Sequence, residues 1–496
     1  MASNESDLVL MQLQAEFDYL KENTDHFFLV VMSCIIFLMQ LGFAFLEAGS
    51  VRSKNTTNIL LKNMLDVCIG AVAYWGVGYA FAFGKSSNPF IGYRNFFFED
   101  MVPSDYSHFF FHFVFAATAA TIVSGAMAER TEFAAYFMYS SLITGFIYPV
   151  VTHWAWSSDG WLGNSGIEIA DGTYLAFKDF AGSGVVHCVG GTAALVGATI
   201  LGPRIGRYDA NGKLVVIAGH TVPMVSLGGF ILFFGFFAFN GGSQGRISGE
   251  GDGEVVALAI VNTIISGAFA ALTAMICRRV GFSGSYWSLL TTINGGLTGM
   301  VAICAGCNVV YAWGAAVIGT IAGVTYILWS SAVIRMRIDD PLDAVAVHLG
   351  GGFWGVLAVP IFDMNDGILF NITSRVPWMH FAWNLLGVVA IFVWTALLSF
   401  FMFGIFRCLK ILRVDPEIEK KGLDIPKHGE PAYPLASYGN GWEDESVIDA
   451  SPVRPPPSYK MNGNSHDNKA YSLGETQNSV DHEHIQIDDT PRVQFD

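Results

Sequence analysis

The chain has 496 residues, of which 52% are hydrophobic and only 14% are charged, and its formal net charge is −15. This composition excludes an ordinary soluble globular protein, in which about a quarter of the residues are charged. It is typical of a protein that crosses a membrane many times. The acidic balance also gives no reason to expect a nucleic-acid partner.

Eleven apolar runs are long enough to cross a hydrocarbon core about 30 Å thick, which takes roughly 20 helical residues. We therefore expect an all-α polytopic membrane protein of eleven transmembrane helices, with a segment 1–27 before a membrane domain 28–406. The runs lie near residues 28–46, 65–83, 109–128, 134–152, 181–202, 215–239, 254–277, 286–303, 308–334, 343–362 and 379–406.

Lysine and arginine are concentrated in alternate connections between these runs, and cytoplasmic connections are the ones enriched in basic residues. This bias predicts an extracellular N-terminus and a cytoplasmic C-terminus. The acidic start of the chain has no basic segment typical of a cleaved signal peptide. The basic connections contain Arg52, Lys54, Arg130, Arg204, Arg207, Lys213, Arg278, Arg279, Arg335, Arg337, Arg407, Lys410 and Arg413.

Two similar stretches place a histidine inside an apolar run. DFAGSGVVHCVGG begins at Asp179 and contains His187, and DPLDAVAVHLGGG begins at Asp340 and contains His348. The two runs are the fifth and the tenth, so an odd number of crossings makes them run in opposite directions. The pattern predicts an inverted repeat of spans 1–5 and 6–10. At about 1.5 Å per residue, each histidine lies about 12 Å from its own helix start, near the midplane.

Glycines follow both histidines and would let the two helices approach closely. Asp179 and Asp340 each precede their histidine by eight residues, where a carboxylate suits a helix start. Capping is the expected role of both, with direct substrate contact by Asp179 as the alternative.

A pair of imidazoles within a membrane has three uses: lining a polar path, relaying protons, or ligating a metal or haem. An intramembrane redox protein is therefore a competing function. Cys304 and Cys307 form a single CxxC with no second pair, which does not indicate a metal site. We expect neither a metal nor another cofactor.

Six stretches, in order along residues 28–433, together resemble the ammonium transporter family (Amt, Mep and Rh proteins). The resemblance implies a homotrimer with one pore per subunit in the plasma membrane, and a transporter rather than an enzyme. The stretches are FAATAATIVSGAMAER from Phe115, GWLG from Gly160, DFAGSGVVH from Asp179, FFAFNGGS from Phe236, DDPLDAVAVHLGG from Asp339 and GLDIPKHGEPAY from Gly422.

The resemblance also implies roles for individual residues. An outer vestibule that recruits ammonium would be formed by Trp161, Phe115 and Ser243. A hydrophobic gate beneath it matches Phe111, Phe115 and Phe239, and a narrow pore is lined by His187 and His348.

The energetics favour splitting the substrate before it crosses. Taking NH4+ into a low-dielectric interior costs of order 20 kcal/mol, whereas a neutral molecule with unmet hydrogen bonds costs roughly 2 to 7. We therefore expect deprotonation near the vestibule, passage of NH3 past the histidines, and net electrogenic uptake of NH4+ or methylammonium. An electroneutral NH3 channel and an ammonium sensor are the alternatives.

The composition changes after Arg407. By the resemblance, residues 407–440 form a regulatory segment that couples the subunits, although Pro426 occupies the place of a threonine switch in plant relatives. Residues 441–496 carry eleven Asp and Glu against four Lys and Arg, a net charge of −7, and are expected to be disordered. Within them, Pro456, Pro457 and Tyr459 form a PPxY-type sequence that a WW domain could bind.

Overall fold

The structure is a computed structural model that describes residues 2–86, 88–170, 172–281, 285–439 and 442. These residues form α-helices joined by short irregular segments, and the only strands among them are a two-stranded antiparallel pair, Glu168–Ala170 and Thr173–Tyr174. The helices, which we number α1 to α14, are Ala2–Ser50, Thr56–Ala73, Tyr79–Phe83, Tyr106–Met127, Phe133–Leu142, Tyr148–Trp156, Val189–Leu201, Val222–Gly242, Asp252–Arg279, Leu289–Ile303, Ala312–Arg335, Gly351–Phe362, Arg375–Cys408 and Pro416–Lys421.

Several of these helices are joined end to end by single wider turns of π-helix, which recur at functional sites. The π turns are Tyr74–Gly78, Ile143–Ile147, Ser183–Cys188, Val345–Gly350 and Asp424–His428, and short 3₁₀ turns lie at Ser53–Asn55, Phe96–Phe98, Pro103–Asp105 and Leu435–Tyr438.

Each of the eleven predicted runs overlaps a helix. Ten helical stretches in the described part of the chain are long and apolar enough to cross a membrane, and α10, at 15 residues, is shorter. The polytopic all-α fold is therefore confirmed, while the count of eleven crossings stays a prediction.

The boundary at residue 27 is not a break in the structure. Helix α1 runs without interruption from Ala2 to Ser50. Its first half contains no glycine or proline and is rich in Leu, Glu and Gln, which are good helix formers. Local propensity therefore continues the helix beyond the apolar run that defined the predicted span.

Helices α1 and α8, from the first and sixth runs, pack closely at glycines. A Cβ atom on Gly228 would lie 2.3 Å from the backbone nitrogen of Leu46, and one on Gly42 would lie 2.8 Å from Leu232 Cγ. Only glycine permits this approach of two helix backbones. Equivalent runs of the two predicted repeats therefore lie side by side.

The C-terminal segment 413–438 packs on one end of the helical bundle, which we call the tail face; the opposite end is the far face. Arg413 donates to the Pro203 carbonyl at 2.8 Å, and Lys427 bonds Glu132 at 2.8 Å. Asp424 accepts hydrogen bonds from the backbone of Asn58 and from Tyr438, and burial raises its pKa. The segment thus contacts its own subunit extensively.

The regulatory role of residues 407–440 stays a prediction. The expected disorder of 441–496 and the PPxY-type sequence at Pro456, Pro457 and Tyr459 lie outside the described residues.

Candidate functional site

The two predicted histidines meet in the middle of the bundle. His187 lies in the π turn Ser183–Cys188 and His348 in the π turn Val345–Gly350. Their Nδ1 atoms are 3.1 Å apart, and the ring centroids lie 5.2 Å apart with 19° between the planes, so the rings meet edge to edge at these two nitrogens. One Nδ1 must therefore donate and the other accept, so the two rings carry different tautomers when both are neutral.

Mirrored glycines bring the two histidine segments together. Gly191 and Gly352 each follow their histidine by four residues, one turn along the same helix. A Cβ on Gly191 would lie 2.3 Å from the backbone nitrogen of Leu349, and one on Gly352 would lie 2.3 Å from the carbonyl oxygen of Ser183. Each glycine therefore receives the backbone of the opposite segment, as an inverted repeat requires.

The two mirrored aspartates fix the starts of these segments. The carboxylate of Asp179 accepts hydrogen bonds from the backbone N–H groups of Gly182, Gly184 and Val185, at 2.9 to 3.2 Å. Asp340 accepts one from Val345 at 2.8 Å. Capping accounts for these contacts, and a substrate contact by Asp179 stays a prediction.

Phenylalanines cover the histidine pair on the side of the far face. The rings of Phe115 and Phe239 stack 4.0 Å apart at 15°, and Phe111 contacts Phe115 at 4.8 Å. His187 lies 5.5 Å from Phe239 and 5.6 Å from Phe236. The three predicted gate residues therefore form one cluster. Phe236, which the sequence analysis did not select, contacts both Phe239 and His187 and lines a cavity together with His348.

A cavity with about 220 Å³ of free volume opens on the far-face side of this cluster. Phe115 and Ser243, two of the three residues predicted to form a vestibule, line it. The Ser243 hydroxyl donates to the Phe239 carbonyl at 2.7 Å, which leaves its lone pairs as acceptors. The other lining residues are Leu29, His108, Phe111, His112, Trp156, Phe180 and Gly245.

Trp161, predicted to bind substrate in this cavity, does not line it. Its ring lies between Trp154, at 5.7 Å, and Trp383, at 6.0 Å. The tryptophan that lines the cavity is Trp156, whose indole N–H donates to the Asp179 carbonyl at 2.8 Å. Both tryptophans stand in the sequence HWAWSSDGWLG, and only the turn after Trp156 decides which ring faces the cavity.

A smaller cavity lies on the tail-face side of the histidines. It has about 20 Å³ of free volume, enough for about one water-sized molecule. His348, Glu47 and Asn294 line it together with apolar residues. Sequence analysis missed Glu47, although a glutamate beside the apolar run in FAFLEAGS was a usable signal.

A buried ion-pair network at the tail face holds the connection that leads to Asp340. Arg204 bonds Asp339 at 2.8 Å and Glu129 at 3.1 Å. Burial alone would raise the pKa of Asp339, but the hydrogen bonds and charge of Arg204, with the charge of Arg130, lower it to about 2. The network therefore stays ionised at neutral pH.

His187 and His348 form a polar pair inside an otherwise apolar path. His187 Nε2 is buried and has no hydrogen-bond partner among the described residues, so it can bond a small polar molecule that passes. The two Nδ1 atoms lie 3.1 Å apart, a hydrogen-bond distance that is too short for a haem iron between them. The described residues also contain no group of three or more His, Cys, Asp or Glu arranged to hold a metal.

Comparisons with known proteins agree on one family. The sequence model described as Ammonium Transporter Family matches residues 27–433. The chain is 48% identical over 441 residues to a putative ammonium transporter 1 of Caenorhabditis elegans, covering 85% of this chain and 81% of the relative. It is 39% identical to ammonium transporter 1 member 3 of Solanum lycopersicum, covering 82% and 92%.

The fold is also similar to a solved structure titled Sensor Amt Protein. The TM-score is 0.76 and the sequence identity is 37%, over 83% of this chain and all of the other.

Proposed function

This chain belongs to the ammonium transporter family, and from that premise we propose that it takes up NH4+ by deprotonating it and conducting NH3 between the twin histidines. The observation that carries the proposal is His187 Nε2, a buried nitrogen that has no hydrogen-bond partner in the described part of the chain and lies directly behind the phenylalanine cluster. NH3 can hydrogen-bond this nitrogen in either tautomer of the histidine, because NH3 has three N–H donors and one lone pair.

Recruitment takes place in the far-face cavity. The faces of Trp156 and Phe115 attract a small cation, worth up to about 2 kcal/mol when desolvated. The free lone pairs of Ser243 accept N–H bonds from the same ion. Because the indole N–H of Trp156 is already bonded to Asp179, its ring is held in place for this contact. Trp156 thus replaces Trp161 in this role.

The stacked rings of Phe115 and Phe239 then separate ammonium from ammonia. Passing NH4+ between them would cost of order 20 kcal/mol, and NH3 roughly 2 to 7. His187 offsets part of the smaller cost by hydrogen bonding. The proton that NH4+ releases binds His187 at Nε2, and the Nδ1–H of His187 then passes its proton to Nδ1 of His348 across the 3.1 Å contact. Uptake is then electrogenic.

The orientation and assembly belong to this proposal. We place the protein in the plasma membrane as a homotrimer, with the far face and N-terminus outside and the tail face in the cytoplasm. The charge bias of the connections supports that orientation. A WW-domain protein that binds Pro456, Pro457 and Tyr459 is a proposed partner.

Simultaneous recording of current and ammonium uptake in voltage-clamped cells, at several external pH values, tests the mechanism. We expect one charge per nitrogen and a rate that follows the NH4+ concentration. Uptake without current, following NH3, would instead establish an electroneutral channel. Absence of both would contradict transport.

Sensing is the second candidate function, since the similar structure at 37% identity is titled Sensor Amt Protein. It predicts that ammonium binding is retained without flux, and that deleting residues 414–442 abolishes a downstream response while binding is unaffected.

A further inference from the structure

We propose that Glu47 is the proton carrier on the tail-face side of the histidines, returning to NH3 the proton that His348 delivers. The inference rests on the proposed function. It assigns a role to a carboxylate that lies in the membrane region and outside the histidine pair.

The position of Glu47 supports this role. Among the described residues that line the tail-side cavity, only Glu47 and His348 can gain or lose a proton at moderate pH. The cavity holds about one water-sized molecule. A molecule of NH3 that leaves the histidines therefore enters a space bounded by one imidazole and one carboxylate.

The hydrogen bonds of the Glu47 carboxylate also support this role. Ser124 donates to Oε1, and Asn63 donates to Oε2 at 2.8 Å. An ionised carboxylate has about four acceptor sites, so sites remain for a substrate. No Lys or Arg of the described residues forms an ion pair with Glu47. Lys62 instead donates to the Thr131 carbonyl at 3.1 Å and faces the Tyr136 ring.

The charged and titratable groups around Glu47 come from two elements. Helix α2 presents Lys62 and Asp66, and the π turn Val345–Gly350 presents His348. Helices α4, α8 and α10 contribute hydroxyl, amide and apolar groups at this cavity. An ionisable residue in such surroundings is costly, and within a membrane span it marks a substrate or proton path.

The proton balance has two steps. First, an N–H bond of the His348 imidazolium breaks with its electron pair left on nitrogen, and an O–H bond forms at the Glu47 carboxylate. Next, that O–H bond breaks with its pair left on oxygen, while the lone pair of NH3 forms the fourth N–H bond of NH4+. The ion pairs briefly with the carboxylate and leaves at the tail face, and Glu47 is again ionised.

The test measures the charge carried per nitrogen taken up, in cells that express Glu47→Gln or the wild type in equal amounts at the surface. Glutamine keeps the size and one acceptor but cannot carry a proton. We expect the charge per nitrogen to fall by about tenfold or more while part of the nitrogen flux persists. Asp66→Asn removes another buried carboxylate, one that bonds Tyr136 and does not line the cavity, and should keep the wild-type ratio.

A parallel loss of flux and current, with an unchanged ratio, would overturn the proposal and leave Glu47 a structural tie between α1, α2 and α4. A wild type that carries nitrogen without charge would also overturn it, although ammonium transport would stand. A wild type without ammonium flux would refute the proposed function itself.

Ser124→Ala provides an independent measurement in case Glu47→Gln does not reach the membrane. Loss of one donor favours the protonated carboxyl group, so the cytosolic pH at half-maximal current should rise by about half a unit. An unmoved midpoint would overturn the proposal.

Discussion

Replacing Gly191 with alanine should separate the two histidines. The new Cβ would lie 2.3 Å from Leu349 N and 2.8 Å from Leu349 Cα, whereas ordinary contacts begin at 3.4 Å. The clashing atoms belong to the backbone of Leu349, the residue after His348, so the segment that carries His348 must move away by about 1 Å. That shift lengthens the 3.1 Å Nδ1–Nδ1 contact beyond hydrogen-bond range. Overpacking of this kind costs about 1–3 kcal/mol, and a displacement of about 1 Å can cost about 100-fold in rate.

Methylammonium uptake per surface molecule, together with thermal unfolding of the purified protein, measures both effects. We expect Gly191→Ala to lose at least about tenfold in uptake and to unfold at a lower temperature. Gly352→Ala, its mirrored counterpart against Ser183, should behave alike. The matched control is Gly404→Ala in α13, where a Cβ meets nothing within 4 Å and uptake should be normal. Equal uptake in Gly191→Ala and Gly404→Ala would refute the packing argument.

The other predictions concern the far-face cavity, the gate and the tail face. Trp156→Leu should raise the half-saturating ammonium concentration by up to about 30-fold, from the loss of about 2 kcal/mol of cation–π attraction; Trp161→Leu is its control, and equal effects would contradict the assignment. Phe239→Ala should admit potassium current, since it removes one of the two stacked gate rings; unchanged selectivity would argue against a gate there. Asp339→Asn should destabilise the protein by about 1.5–3 kcal/mol at neutral pH, because Arg204 loses its charged hydrogen bonds to Asp339 and keeps only Glu129 as a carboxylate partner. Because folding lowers the pKa of Asp339 to about 2 from an ordinary value of about 3.9, this ion-pair stability is present above about pH 4 and lost as the pH falls towards 2. The gap in unfolding temperature between wild type and Asp339→Asn should therefore narrow over that range, and a constant gap would contradict it.

Much of the fold was readable from the sequence because membrane spans follow from a local property. A run of about 20 apolar residues must satisfy its backbone hydrogen bonds within the segment, so it forms a helix whatever surrounds it. The repeat was readable for the same reason, since the DFAGSGVVH and DPLDAVAVH motifs place each histidine at the same depth in segments of opposite direction. Helix α1 extended beyond its predicted start because propensity, rather than hydropathy, set its first residues.

The candidate site was only partly readable. Sequence position gives depth along a helix but not which side chain faces a cavity, and 40 phenylalanines offered no means of choosing Phe236 beside Phe239. Trp156 and Trp161 are five residues apart, and the turn between them directs one ring to the cavity and the other to a position between Trp154 and Trp383. Glu47 is a single glutamate with no matching motif in the sequence, and only the packing of α1 against α4 and α8 places it in the cavity that His348 also lines.

The sequence by itself thus determined the membrane class, the positions of the helices and the mirrored pair of histidines, because each depends on residues close together in the chain. Tertiary structure alone decided the 3.1 Å contact between those histidines. It also decided that Trp156 lines the far-face cavity and that Glu47 lines the tail-side cavity. These depend on which faces of distant helices pack together, and side chains from across the bundle set that choice.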